Sequence, residues 1–244
     1  MEIRMTSRGD LVSVGVLAIV IGLLLNGAAF VLQATFRFPD ILRRPAAEAL
    51  EQFTMNAPAV MAAYYVFALT SLLQGALVLG IRRLNGRRSS LALDIATAAG
   101  LGMALVQTMG FLRWVFMEPA LVQLYRDGAG EAGVQSAVLA AHETMNRFAG
   151  VAIGEHLGWL LLATWLVATG VHMRVTPTLS GGRVGGGVAI VCGVLTLVST
   201  VEQFGVVDGL QQMAFYGGYV AYTVLLIPFG VRLLRLAARL DRHV

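Results

Sequence analysis

The sequence predicts an all-α membrane protein, a polytopic bundle of six transmembrane helices with amphipathic loops at one interface. Three observations carry this. Of 244 residues, 57% are hydrophobic and only 13% charged, against about 25% charged in a soluble domain. Mean hydropathy is +0.73. Apolar runs of roughly 20 residues, enough to cross ~30 Å of hydrocarbon, recur along most of the chain.

The spans fall at about 11–33, 57–81, 92–117, 147–172, 185–206 and 214–236, in a single integral membrane domain. The first follows Arg4 and Arg8, and its Gly27-Ala28-Ala29 imitates a signal-peptide cleavage site. The apolar run continues through Val31 and Leu32, which suits a retained spanning helix. Between the second and third spans lies RRLNGRR (82–88), and between the fourth and fifth lie Arg174 and Arg183. The tail adds Arg232, Arg235, Arg239 and Arg242. With the head, these segments share one side of a six-span alternation. The bias of arginine toward the cytoplasm therefore predicts that both termini are cytoplasmic.

The opposite side carries two longer loops. In FRFPDILRRPAAEALEQF (36–53), Pro45 stands at a plausible first helical position and Ala46, Leu50 and Phe53 share one side. The pattern predicts a short amphipathic helix lying at the outer interface. Residues 118–146 repeat the idea, with EPALVQLY, a glycine-containing break at 128–130, and AGVQSAVLAAHETMNR. The arginines of these loops, Arg37, Arg43, Arg44 and Arg126, are balanced by Asp40, Glu48, Glu51 and Asp127.

Composition also excludes chemistry. All 18 basic residues are arginine, so no lysine amine is present to form a retinal or pyridoxal Schiff base. Cys192 is the only cysteine, which rules out an intramolecular disulfide or a multi-cysteine zinc site. The arginines cluster at helix ends, which reads as membrane orientation and not as nucleic-acid binding.

Ionisable residues inside membrane helices are costly and mark candidate functional sites. Four stand out: Arg113 in the third span, Glu155 and His156 in the fourth, and Glu202 in the fifth. At 1.5 Å per residue, Arg113 and Glu202 lie about 6 Å from the outer helix ends and Glu155 roughly 12 Å deep. All four fall in the outer third of the membrane, where Gln107, Gln203, Tyr64, Tyr65, Tyr216 and Tyr219 share their level. The simplest reading is a polar pocket that opens outward and takes a small molecule or a proton. The alternative is a satisfied network in which Arg113 bridges helices through Glu155 or Glu202. On the fourth span, Gly150, Gly154 and Gly158 form a ladder against which another backbone fits closely. Packing within the bundle is its expected use, with docking of a membrane-protein partner as the other. Gly80, Gly170 and Gly230, each near an arginine-rich exit, add a faint internal echo.

One stretch imitates a metal site. In HETMNRFAGVAIGEHLG (142–158), His142, Glu143 and Asn146 stand where a zinc protease has His-Glu-x-x-His. Asn146 is a poor substitute for the second histidine and no third ligand is near, so no metal is expected. A haem is not expected either, since no facing histidine lies on another span; His172 is close to the cytoplasmic end and His243 in the tail. No cofactor is predicted.

Several phrases together resemble an uncharacterised bacterial six-helix membrane family, one of the domain-of-unknown-function groups. They are FPDILRRPAAEAL, FLRWVFMEPALVQLY, VAIGEHLGWLLLATWLVATG, EQFG and GGYVAYTVLLIPFGVRLLR, spread over nearly the whole chain. The resemblance implies a six-span bundle in the bacterial inner membrane and transfers no activity. Three functions remain open on the residues alone. The first is a non-enzymatic pocket with charge from Arg113, Glu155 and Glu202 and a titratable His156. The second is an accessory or assembly subunit. The third is a lipid-modifying enzyme using Glu155 or His156 as acid or base.

Overall fold

The computed structural model describes residues 7–85, 90–176, 182–201 and 216–240. These residues form helices and no strand. The elements are α1 (Arg8–Phe36), a 3₁₀ turn (Asp40–Arg43), α2 (Ala46–Leu84), α3 (Leu91–Phe116), α4 (Glu118–Asp127) and α5 (Ala132–Met145). A π-helical segment (Asn146–Leu157) then leads into α6 (Gly158–Val175), followed by α7 (Gly182–Ser199), a second π turn (Tyr216–Val220) and α8 (Ala221–Leu240). Six helical stretches among them are long and apolar enough to cross a membrane. Large apolar side chains point away from the bundle, including Leu23, Leu72, Leu105 and Val191, each more than half exposed. A surface of this kind is stable against lipid, where backbone polar groups must be satisfied within helices.

The helices pack in a ring: α8 against α1, α1 against α2, α2 against α3, α3 against the π segment and α6, α6 against α7, and α7 against the second π turn. Glycine sets the distance at three of these contacts. A Cβ on Gly15 of α1 would meet the Gly230 carbonyl of α8 at 2.9 Å. One on Gly170 of α6 would meet the Gly186 carbonyl of α7 at 2.5 Å. One on Gly110 of α3 would meet Gly154 Cα of the π segment at 2.8 Å. Without a hydrophobic drive between helices in lipid, such backbone approach supplies dispersion contact that larger residues would prevent. Near the middle, the Tyr222 hydroxyl of α8 donates to Gln74 Oε1 of α2 at 2.9 Å, and Trp165 of α6 packs edge-on against Tyr222.

At the end where α1 begins and α8 ends, polar groups cap the helices. Ser7 Oγ accepts from the Asp10 amide and Ser90 Oγ from the Leu93 amide, each side chain satisfying a free helix N-terminal donor. His172 of α6 reaches across to Ser90 Oγ at 2.8 Å and to Asn85 Oδ1 at 3.1 Å, tying the end of α2 to the start of α3. Arg83 pairs with Asp10 and Arg82 with Asp94.

At the opposite, distal end, residues 46–55 form the short amphipathic helix expected there. It leads into the spanning part of α2 across a kink at Asn56, whose φ/ψ of −134°/25° is not helical. Pro58 explains the bend, because its ring disfavours helical geometry in the preceding residues and it has no amide to donate. Ala49, Leu50 and Phe53 are buried, so the apolar side of this segment faces the bundle and not a lipid surface. Gln52 and Asn56 donate to the Thr35 carbonyl at 3.2 and 2.9 Å, satisfying one of the free carbonyls that end α1. The second loop likewise becomes ordered helix. α4 turns at Gly128–Gly130, where Gly130 adopts φ +98°, and α5 then runs unbroken into the fourth span. That stretch, Ala132–Val175, is 44 residues long, or about 66 Å at 1.5 Å per residue. Its first turns therefore stand clear of the hydrocarbon.

Candidate functional site

A cavity of about 620 Å³ lies in the distal half of the ring. α1 contributes Leu25, Asn26, Ala29, Phe30 and Gln33, and the segment after it contributes Phe38, Pro39, Asp40, Leu42 and Arg43. Tyr64 and Phe67 come from α2, and Gln107, Gly110, Phe111, Arg113 and Trp114 from α3. Gly150, Gly154 and Glu155 come from the π segment, Trp159 from α6, and Tyr219, Val220 and Thr223 close the ring. The α3 residues alone cover roughly 10 Å along the helix axis. Eight of the 24 lining residues are aromatic, and several of their rings pack on one another and on Phe36 behind them. Tyr64 stacks on Trp114 with centroids 5.1 Å apart, Phe36 meets Trp114 edge-on at 4.9 Å, and Phe67 and Phe111 lie 5.0 Å apart.

The π segment shapes this wall. In a π-helix each amide bonds the carbonyl five residues back, which widens the turn. Both of its inward-facing glycines are used. A Cβ on Gly150 would sit 2.5 Å from the Arg113 guanidinium carbon, so any larger residue would push that group from its present place. Gly154 crosses Gly110, and one turn on Gly158 meets the Gln107 side chain, with a 3.0 Å approach to Cγ. The glycine ladder at 150, 154 and 158 thus faces Arg113, Gly110 and Gln107 of α3.

Arg113 is buried, with 7% of its surface exposed. Its guanidinium lies over the Trp114 ring at 4.8 Å, and Nη1 donates to Asn146 Oδ1 at 2.7 Å. Nε has no partner. Neither Glu155 nor any other carboxylate among the described residues forms an ion pair with it. Glu155 instead pairs with Arg43, whose Nη2 donates to Oε2 at 2.7 Å and Nη1 to Oε1 at 3.4 Å. This pair stands at the cavity margin, with side-chain exposures of 39% for Arg43 and 16% for Glu155. Two further buried polar atoms in the lining lack a partner, the Tyr64 hydroxyl and Gln107 Oε1. His156 is half-buried and does not line the cavity. Glu202 and Gln203 lie outside the described residues.

The near-zincin stretch is used differently from a metal site. His142 Nδ1 is bonded to Glu118 Oε2 at 2.9 Å, both side chains are fully buried, and His142 packs edge-on against Trp114. Asn146, one turn on, holds Arg113. Glu143 faces outward and pairs with Arg147. Among the described residues, no three His, Cys, Asp or Glu side chains are grouped to hold a metal.

Sequence reasoning passed over Arg43, which it balanced against neighbouring acids in the loop; Arg37 does take such a partner, Glu48, at 3.0 Å. It passed over Glu118 altogether. That residue stands at the first position of α4, where a carboxylate is unremarkable, so only its complete burial reveals the pairing. Asn26, Gln33 and Trp159 lacked a signal, since single amides and aromatics are ordinary in apolar helices. Comparison with protein-family models, curated proteins and solved structures finds no match for the chain.

Proposed function

We propose that this chain is a multi-pass protein of a bacterial inner membrane whose distal cavity binds a small molecule entering from the outer half of the bilayer. The observation that carries this reading is the coincidence of three buried, unpartnered polar groups in one lining: Arg113 Nε, the Tyr64 hydroxyl and Gln107 Oε1. Buried polar groups are almost always hydrogen-bonded, and inside a membrane the cost of leaving them bare is higher still. Three such groups around a single cavity are accounted for by a ligand that supplies their partners. The size supports it, because pockets for small organic molecules run from about 300 to 1,000 Å³. The arginine clusters at the chain-terminal end support cytoplasmic termini, with the cavity on the far side. The Arg43–Glu155 pair at the margin offers a contact that entry of a ligand would have to open or pass.

The test is native mass spectrometry of the protein released gently from its own membrane, alongside Ala29→Trp, which places an indole into the cavity. Wild type is expected to carry a small additional mass that Ala29→Trp loses. A mass that survives the substitution, or none in wild type, would overturn the reading. A retained protein of fixed stoichiometry would favour an accessory subunit of a membrane complex instead.

A further inference from the structure

The charge balance around the cavity says more about what occupies it. We infer that the ligand is an amphiphilic oxyanion, with its acidic head on Arg113 and its apolar body among the aromatic walls. The inference rests on the binding reading above and adds the ligand's charge and shape.

A guanidinium carries five N–H donors in one plane, suited to two parallel bonds with a carboxylate or phosphate. Arg113 spends one of them on the neutral Asn146. Four carboxylates of the distal half are held by other side chains, Glu118 by His142, Glu155 by Arg43, Glu48 by Arg37 and Glu143 by Arg147, while Asp40, in the cavity lining, is solvent-exposed. Among the described residues, none is within ion-pairing distance of Arg113. Glu118 and Glu155 act on Arg113 through space, but neither touches its guanidinium, and an anion bonded directly to it would compensate the buried charge far better. A cationic ligand would add repulsion, and a neutral one would leave the guanidinium without a directly bonded anion. The Tyr64 hydroxyl is a second unused donor in the same lining, and it also favours an acceptor-rich head.

The remaining lining decides the body. Phe38, Phe67, Phe111, Trp114 and Leu25 present apolar surface, and about 620 Å³ is far more than a bare inorganic ion fills. Gln107 Oε1, about two helical turns along α3 from Arg113, is an unused acceptor. It would take a hydroxyl or amide hydrogen carried on that body. The same chemistry is met in a free amphiphilic acid and in an anionic lipid, and the experiment separates them.

Trp114 and Trp159 line the cavity while Trp165 packs against Tyr222, so two of three tryptophans report occupancy directly. The protein in phosphatidylcholine nanodiscs is titrated with terminally brominated decanoate, with the matching decanol and with the matching decyltrimethylammonium; bromine quenches indole fluorescence on contact. Lipid partitioning adds only a non-saturating slope. The acid is expected to give saturable quenching with an affinity about tenfold or more above the alcohol, and the cation none, as a charge-assisted pair in a dry site implies. Arg113→Gln is expected to lose that tenfold for the acid and leave the alcohol unchanged. Arg113→Lys retains part of it, and Tyr64→Phe weakens the acid several-fold, so the inference does not depend on Arg113→Gln folding. Adding phosphatidylglycerol to the discs displaces the acid if the natural ligand is a lipid; undiminished affinity identifies a free acid. Equal or tighter binding of the alcohol or the cation in wild type overturns the oxyanion assignment while leaving the cavity a binding site. Absence of saturable quenching by all three probes would sink the binding reading itself.

Discussion

The contact between α3 and the π segment makes a graded prediction, because its glycines differ in what a methyl group would strike. At Gly110 the added Cβ would lie 2.8 Å from Gly154 Cα and 3.4 Å from the Ala149 carbonyl. Carbon atoms rest about 3.5–4.0 Å apart, so the two backbones would have to separate by roughly 1 Å, and neither is a flexible side chain that can turn away. Overpacking of this kind costs about 1–3 kcal/mol. Replacing a helical glycine by alanine returns about 0.5–1 kcal/mol, which leaves Gly110→Ala destabilised by about 0–2.5 kcal/mol, centred on about 1. At Gly158 the obstacle is Cγ of Gln107 at 3.0 Å, a side chain that can shift, so Gly158→Ala should come out near zero. At Gly27 of α1 nothing lies within 4 Å, and Gly27→Ala should stabilise by the propensity term alone, about 0.5–1 kcal/mol. The assay is reversible unfolding in mixed detergent micelles, followed by tryptophan fluorescence. The order Gly27→Ala above wild type, Gly158→Ala level with it and Gly110→Ala below is the expected result. A Gly110→Ala protein as stable as Gly27→Ala would refute the claim that this contact is set by backbone approach.

Two further outcomes are expected. His142→Leu strips Glu118 Oε2 of its partner inside a fully buried pair, so it should cost about 1–3 kcal/mol, while Glu118→Leu/His142→Leu, which removes both polar groups, should recover most of that loss in the same unfolding assay. Additive losses in the double variant would show that the two side chains act independently. Cys192 is buried, so engineered cysteines can be labelled against a low background. In intact cells a membrane-impermeant maleimide should modify Asp127→Cys at once and Arg239→Cys only after permeabilisation, and the reverse pattern would invert the orientation.

The sequence by itself determined the all-helical, six-span character of this protein. Hydropathy is a sum over neighbouring residues, and a window about 20 residues long already contains all that lipid burial responds to. It also put Arg113, Gln107 and Glu155 toward the outer ends of their spans, because position along a helix follows directly from residue count. The ladder Gly150, Gly154 and Gly158 was legible for the same reason, as a spacing on one element. Only the tertiary structure decided which groups meet. Glu155 takes Arg43, 112 residues away, because residues 37–45 fold back over the cavity margin. Arg113 takes Asn146 and not a carboxylate, and His142 takes Glu118 and not a metal. The short helix of residues 46–55 packs on the bundle because Leu50 and Phe53 find a buried apolar face there, which an amphipathic pattern cannot distinguish from a lipid surface. Pairings of this kind depend on how helices are rotated and how loops close, quantities that no local stretch of sequence contains.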